Sequence, residues 1–93
     1  MRTVNEIVEK LKQGEIKRVR IGWSGLLCVQ PCGGYHASTY VVYENKKFYK
    51  IVVGNHHAGS WSSQITEMKE LSEEEARKLI EVAINGRAFR VYE

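Results

Sequence analysis

The residues best suited to chemistry in this 93-residue chain are three histidines, two cysteines and a scattering of cations. Cys28 and Cys32 lie eight and four residues before His36, and His56 and His57 follow a hairpin-like stretch that contains Lys50. Thiolate and imidazole are the donors a zinc ion prefers, and Cys28, Cys32, His36 and His57 would complete a tetrahedron in a zinc-stabilised adaptor. The Cys-x3-Cys spacing across Pro31 is less regular than the knuckles of structural zinc sites, so two half-buried thiols are the plainer expectation. A second chemistry needs no metal. Two imidazoles can cleave RNA, one activating the 2′-hydroxyl and the other protonating the leaving oxygen, with Lys50 or Arg20 steadying the phosphate. His36 sits just before the hairpin and His57 just after it, so pairing would bring them within about 10 Å of each other.

A third set of residues suits binding. Arg18 and Arg20 are two apart on a strand-like segment, and Lys46, Lys47 and Lys50 follow in the hairpin. Phosphates are held by such cations, and Trp23, Tyr35, Tyr40, Tyr43, Tyr49 and Trp61 are interleaved with them as surfaces on which splayed bases can stack. His56 and Trp61 share a Gly/Ser-rich segment too polar for core and too aromatic for a linker. Charge is divided to match, with residues 1–66 carrying a net +5 and residues 67–93 a net −2.

Other chemistries are excluded by what is missing. All 11 acids are glutamates, so EF-hand loops, aspartate-based magnesium sites, aspartic dyads and Asp-assisted serine triads are absent. There is no GxxxxGK[ST] or GxGxxG phosphate cradle, and Ser60 and Ser62 lack a nucleophile elbow. A Cys–His36 pair would lack a third group to orient the imidazole, unless an Asn or Gln serves. No cofactor is expected.

These side chains must be carried by a small framework. At 43% apolar and 27% charged residues, residues 1–93 read as one α+β domain. No apolar run approaches a membrane span and the first residues lack a secretory signal, so the expected compartment is the cytoplasm. Thr3 to Gly14 reads as a helix, with a Thr3-x-x-Glu6 capping box, an apolar stripe of Val4, Ile7, Val8 and Leu11, and Gly14 as the stop. Leu71 to Gly86 reads as a second, opened by Ser72-x-x-Glu75, with Ala76, Leu79, Ile80, Ala83 and Ile84 facing the core. Glu15–Gly22 alternates as a strand, with Val19 and Ile21 on one face and Ile16, Arg18 and Arg20 on the other. Ser38–Val53 is the central β-hairpin, turning at Asn45-Lys46 and pairing Glu44 with Lys47 and Tyr40 with Ile51. Both of its faces are largely apolar, so the second face needs a cover: the chain's own loops, a second copy or a ligand. Leu26–Gln30 and Gln64–Lys69 are weaker strands, the latter with Ile65, Glu67 and Lys69 on one side and Met68 on the other. Arg87–Tyr92 closes the chain as a strand, with Phe89 and Val91 on one face.

The expected fold is thus an antiparallel sheet built around a central hairpin with two helices on one face, in the order α-β-(β)-β-β-(β)-α-β. The expected role is a small non-enzymatic binding or regulatory module, with the uncharged segments Trp23–His36 and His56–Ser63 beside the hairpin. Its partner would be RNA, single-stranded DNA or another protein, with no membrane and with a homodimer as one arrangement. The endoribonuclease and the zinc adaptor are the alternatives.

Overall fold

The computed structural model describes the backbone of residues 3–26, 34–57 and 61–93, and the side chains of residues 3–23, 37–54 and 65–93. Among the described residues the chain forms α1 (Val4–Gln13), β1 (Arg18–Leu26), β2 (Gly34–Glu44), β3 (Lys47–His57), β4 (Trp61–Leu71), α2 (Glu73–Ala83) and β5 (Arg90–Tyr92). The strands make one antiparallel sheet in the order β4-β3-β2-β1-β5, with the β2–β3 hairpin at its centre. No helix among the described residues is long and apolar enough to cross a membrane.

Local chemistry sets the element ends. The Thr3 hydroxyl accepts from the Glu6 amide, and Gly14 closes α1 in the left-handed region at φ 80°, where a β-carbon would be strained. Ser72 and Glu75 form a complete capping box at α2, each side chain accepting from the other residue's amide at 3.1 Å. The hairpin turns on Asn45 and Lys46, both at positive φ (53° and 65°), the signature of a type I′ turn that matches strand twist. Its rungs run from Glu44↔Lys47 through Tyr40↔Ile51 and on to Gly34↔His57.

Both helices pack on one face. Ile7, Val8 and Leu11 of α1 and Ala76 and Ile80 of α2 bury against Val19, Val41, Phe48 and Leu71, which share the sheet face toward them. This described core lies at the hairpin-turn end of the sheet. Cross-helix polar contacts close its rim, with Lys12 paired to Glu73 and Arg77 donating to Asn5.

Four local expectations are corrected. Ile16 is in the core, not on the arginine face, because residues 15–16 form a bend and the strand starts only at Arg18. A bulge at Ile21 adds one residue to β1 between Arg20↔Tyr40 and Gly22↔Thr39. A second bulge at Thr66 moves Ile65, opposite Val53, to the side of Met68, opposite Ile51. The closing strand is short, since residues 85–89 turn and only Arg90–Tyr92 pairs with β1. The weak strand expected over Leu26–Gln30 falls mostly outside the described residues, whereas β4 extends well beyond Gln64–Lys69.

Candidate nucleic-acid interface

Side chains alternate across a strand, and directly opposed residues share a face, so the register maps the side of the sheet away from the helices. One row across it reads Arg90, Arg20, Tyr40, Ile51, Met68. A neighbouring row reads Trp23, Ser38, Val53, Ile65. On the turn side of these, Tyr92 opposes Arg18 on β5–β1, while Val42, Tyr49 and Glu70 align on β2–β4. Without the bulge at Ile21, strict alternation would send Trp23 toward the helices. The extra residue returns it to the arginine side.

The β1–β5 half of this face is basic and aromatic. The Arg18 guanidinium lies 4.3 Å from the Tyr92 ring centre and 5.4 Å from that of Tyr40, and Arg90 lies 5.0 Å from Tyr92. The two tyrosine rings meet edge to face at 5.9 Å. Arg20 donates its Nε–H to the Ala88 carbonyl at 2.8 Å, its one side-chain hydrogen bond among the described residues, which holds the guanidinium in place. Arg20 and Arg90 are direct cross-strand neighbours, an arrangement that repels unless an anion lies between them. None of the ion pairs among the described residues involves Arg18, Arg20 or Arg90. The β3–β4 half is apolar, with Ile65 61% and Met68 56% exposed, and Trp23 on β1 is 54% exposed. Leu11 at the end of α1, with Gly14, Ile16 and Lys17 after it, borders a cavity of about 410 Å³ over Val42, Ile51, Ile65 and Met68, and Ser38 is buried on this face.

The other cations fall elsewhere. Lys46 stands in the hairpin turn and is exposed. Lys47 pairs with Glu70 at 2.8 Å, and that hydrogen bond raises its ammonium pKa above the ordinary lysine value. Lys50 opposes Val41 and Lys69 on the helix side of the sheet, so it does not join Arg18 and Arg20.

The histidine-bearing segments also pair. His36 opposes Asn55, His57 opposes Gly34 and Trp61, and Tyr35 opposes His56, which in turn opposes Ser62. His36 and His57 are therefore diagonal neighbours, a backbone separation of about 7–8 Å in such ladders. Lys50 is seven residues from His57 along β3, about 23 Å at strand rise, too far to share a phosphate with it. Cys28 and Cys32, and with them half of the zinc alternative, lie outside the described residues. Among the described residues no three His, Cys, Asp or Glu side chains gather as a metal site.

Sequence reasoning missed Arg90 and Tyr92 as site residues. The signal was present, since placing Phe89 and Val91 on one face puts Arg90 and Tyr92 on the other; what sequence lacked was the β5–β1 pairing. No family model, curated protein or solved structure matches this chain.

Proposed function

We propose that this chain is a binding module that holds single-stranded nucleic acid, RNA or DNA, on the open face of its sheet. The observation that carries the reading is the convergence of Arg18, Arg20 and Arg90 on one face with no carboxylate in ion-pairing distance among the described residues. Guanidinium groups neutralise phosphates through bidentate contacts, and a flat, partly aromatic sheet accepts splayed bases by stacking. Trp23, set on the same face by the bulge, supplies an exposed ring beside the arginines. A duplex would present its phosphates along grooves and hide its bases, which offers no splayed base to the Trp23 ring.

A second reading, a metal-independent endoribonuclease, draws support from the diagonal register of His36 and His57. It loses Lys50 as the phosphate partner, because that residue is too distant along β3.

One assay tests both. Fluorescein-labelled single- and double-stranded RNA and DNA are titrated with protein in EDTA, with anisotropy read first and gels afterwards. The module reading expects intact single strands to bind more tightly than duplexes, with affinity falling as salt rises. Cleavage that disappears in His57→Ala would favour the nuclease. Binding weaker than about 100 µM for every probe, with every strand left intact, would refute both and direct attention to a protein partner.

A further inference from the structure

On the helix side of the sheet, away from the arginines, a groove of about 400 Å³ runs between α2 and strands β3 and β4. Leu71 is buried at its base, while Leu79 and Val82 line it from α2. Glu75, Lys78, Leu79 and Val82 recur at i, i+3, i+4 and i+7, a second helical stripe beside the one that meets the core. Val82, 83% exposed, is a large apolar side chain held in solvent at the end of that stripe.

The polar lining of the groove is mostly cationic. Lys50 and Lys69 are directly opposed on β3 and β4, and Lys78 adds a third ammonium from the helix. Directly opposed like charges destabilise a sheet, so packing alone gives no reason to set two lysines there. Lys50 has Glu67 at 3.7 Å, whereas neither Lys69 nor Lys78 makes an ion pair among the described residues. The carboxylate in the lining, Glu75, already accepts from the Ser72 amide in the capping box, although Lys69 also helps keep it ionised. Three ammoniums thus border an apolar trough of a size that suits a small ligand.

We infer that this groove is a binding site for a free, small anionic amphiphile: a phosphate, sulfonate or carboxylate head on a short apolar body. The head sits between Lys50, Lys69 and Lys78, relieving the Lys50–Lys69 repulsion, and the body lies along Leu71, Leu79 and Val82. The site is on the opposite side of the sheet from the arginine cluster and does not rest on the nucleic-acid reading.

The test is calorimetric titration of the full chain with dodecyl phosphate below its micelle concentration. Dodecyl maltoside serves as the uncharged counterpart, and inorganic phosphate as the head alone. One-to-one binding of dodecyl phosphate is expected, with both controls at least tenfold weaker. Lys69→Gln and Lys78→Gln should each weaken it roughly two- to fivefold, the effect of losing one partly exposed charge contact. Lys69→Gln should nonetheless melt at the same or a higher temperature, since it removes the repulsion from Lys50. Val82→Lys should abolish binding, whereas Arg18→Gln should leave it unchanged. Equal affinity for the maltoside, equal affinity for phosphate alone, or loss of binding in Arg18→Gln but not in Lys69→Gln would each overturn the assignment. So would sedimentation with vesicles bearing the phosphate head in the absence of any binding to the monomeric amphiphile.

Discussion

Replacing Arg18 with glutamine separates a structural arginine from one that meets phosphate. If Arg18, Arg20 and Arg90 each engage one phosphate of a single strand, the logarithm of affinity should fall with the logarithm of salt at a slope of about −2.1, or −0.7 per contact. Between 50 and 200 mM salt that slope amounts to roughly an 18-fold loss of affinity. Arg18→Gln removes one contact and brings the slope to about −1.4, or roughly sevenfold over the same range. The side chain also stacks on Tyr92 at 4.3 Å and Tyr40 at 5.4 Å. At about 0.5–1 kcal/mol for each cation–π contact, its loss costs about 1–2 kcal/mol of stability, which a melting curve reads as a drop of roughly 4–16 °C. Arg18→Lys provides the control: it keeps the charge and hence most of the slope while weakening the planar stacking. The assay is anisotropy of a labelled 12-nucleotide strand across five salt concentrations, well below each variant's melting temperature. A slope for Arg18→Gln indistinguishable from that of the unaltered chain would refute the phosphate contact and leave Arg18 as a packing residue. A slope still near −2 in the Arg18→Gln, Arg20→Gln, Arg90→Gln triple variant would remove the open face from consideration.

Further outcomes follow from the same structure. Ile80→Ala, at a fully buried position of α2, should cost about 2–5 kcal/mol and lower the melting midpoint by at least roughly 8 °C. Lys46→Gly should instead raise stability by about 0.5–1 kcal/mol in chemical denaturation, because glycine relieves a positive φ of 65° at the second turn position; a lower midpoint would contradict the type I′ assignment. The Glu75 carboxyl is held below its ordinary pKa by the Ser72 amide and hydroxyl, and that of Glu73 by Lys12. Their contribution is therefore complete above the usual glutamate value of 4.5 and is lost as pH falls through the lowered values. Melting midpoints should decline on acidification below about pH 4.5, and less steeply in Glu75→Gln, whose amide oxygen still caps the helix; parallel acid limbs would show that the cap carries no pH dependence.

Much of the framework was legible because short-range chemistry wrote it. The two Ser/Thr-x-x-Glu boxes mark the helix starts, and Asn45 sets a two-residue turn from which every rung of the hairpin follows by counting. Alternation failed where an unpaired residue entered a strand. Gly22 is the one local hint of the first bulge and nothing in Ile65-Thr66-Glu67 announces the second, yet each moves a large side chain, Trp23 or Ile65, to the other side of the sheet. The uncharged Gly/Ser-rich segments showed no period, so the far ends of β1, β3 and β4 read as loops although the backbone there pairs to Leu26, His57 and Trp61. Half of the arginine cluster was readable as Arg18 and Arg20 two residues apart. Arg90 and Tyr92 join it through contacts across some 70 positions of sequence, a distance that local patterning does not reach.

The closing strand gives the molecule a clasp. Three rungs, Arg18↔Tyr92, Val19↔Val91 and Arg20↔Arg90, together with the Lys17 amide donating to the Tyr92 carbonyl at 2.7 Å, fasten the tail across the outer side of β1. Clipping the chain after Phe89 would uncover that margin, strip Val91 from Val19, and take one ring and one guanidinium from the basic cluster together. Trimming by a protease would thus loosen the fold and silence the arginine cluster in a single event, and a ligand lodged across Arg20 and Arg90 would shield the cut site by holding the clasp shut.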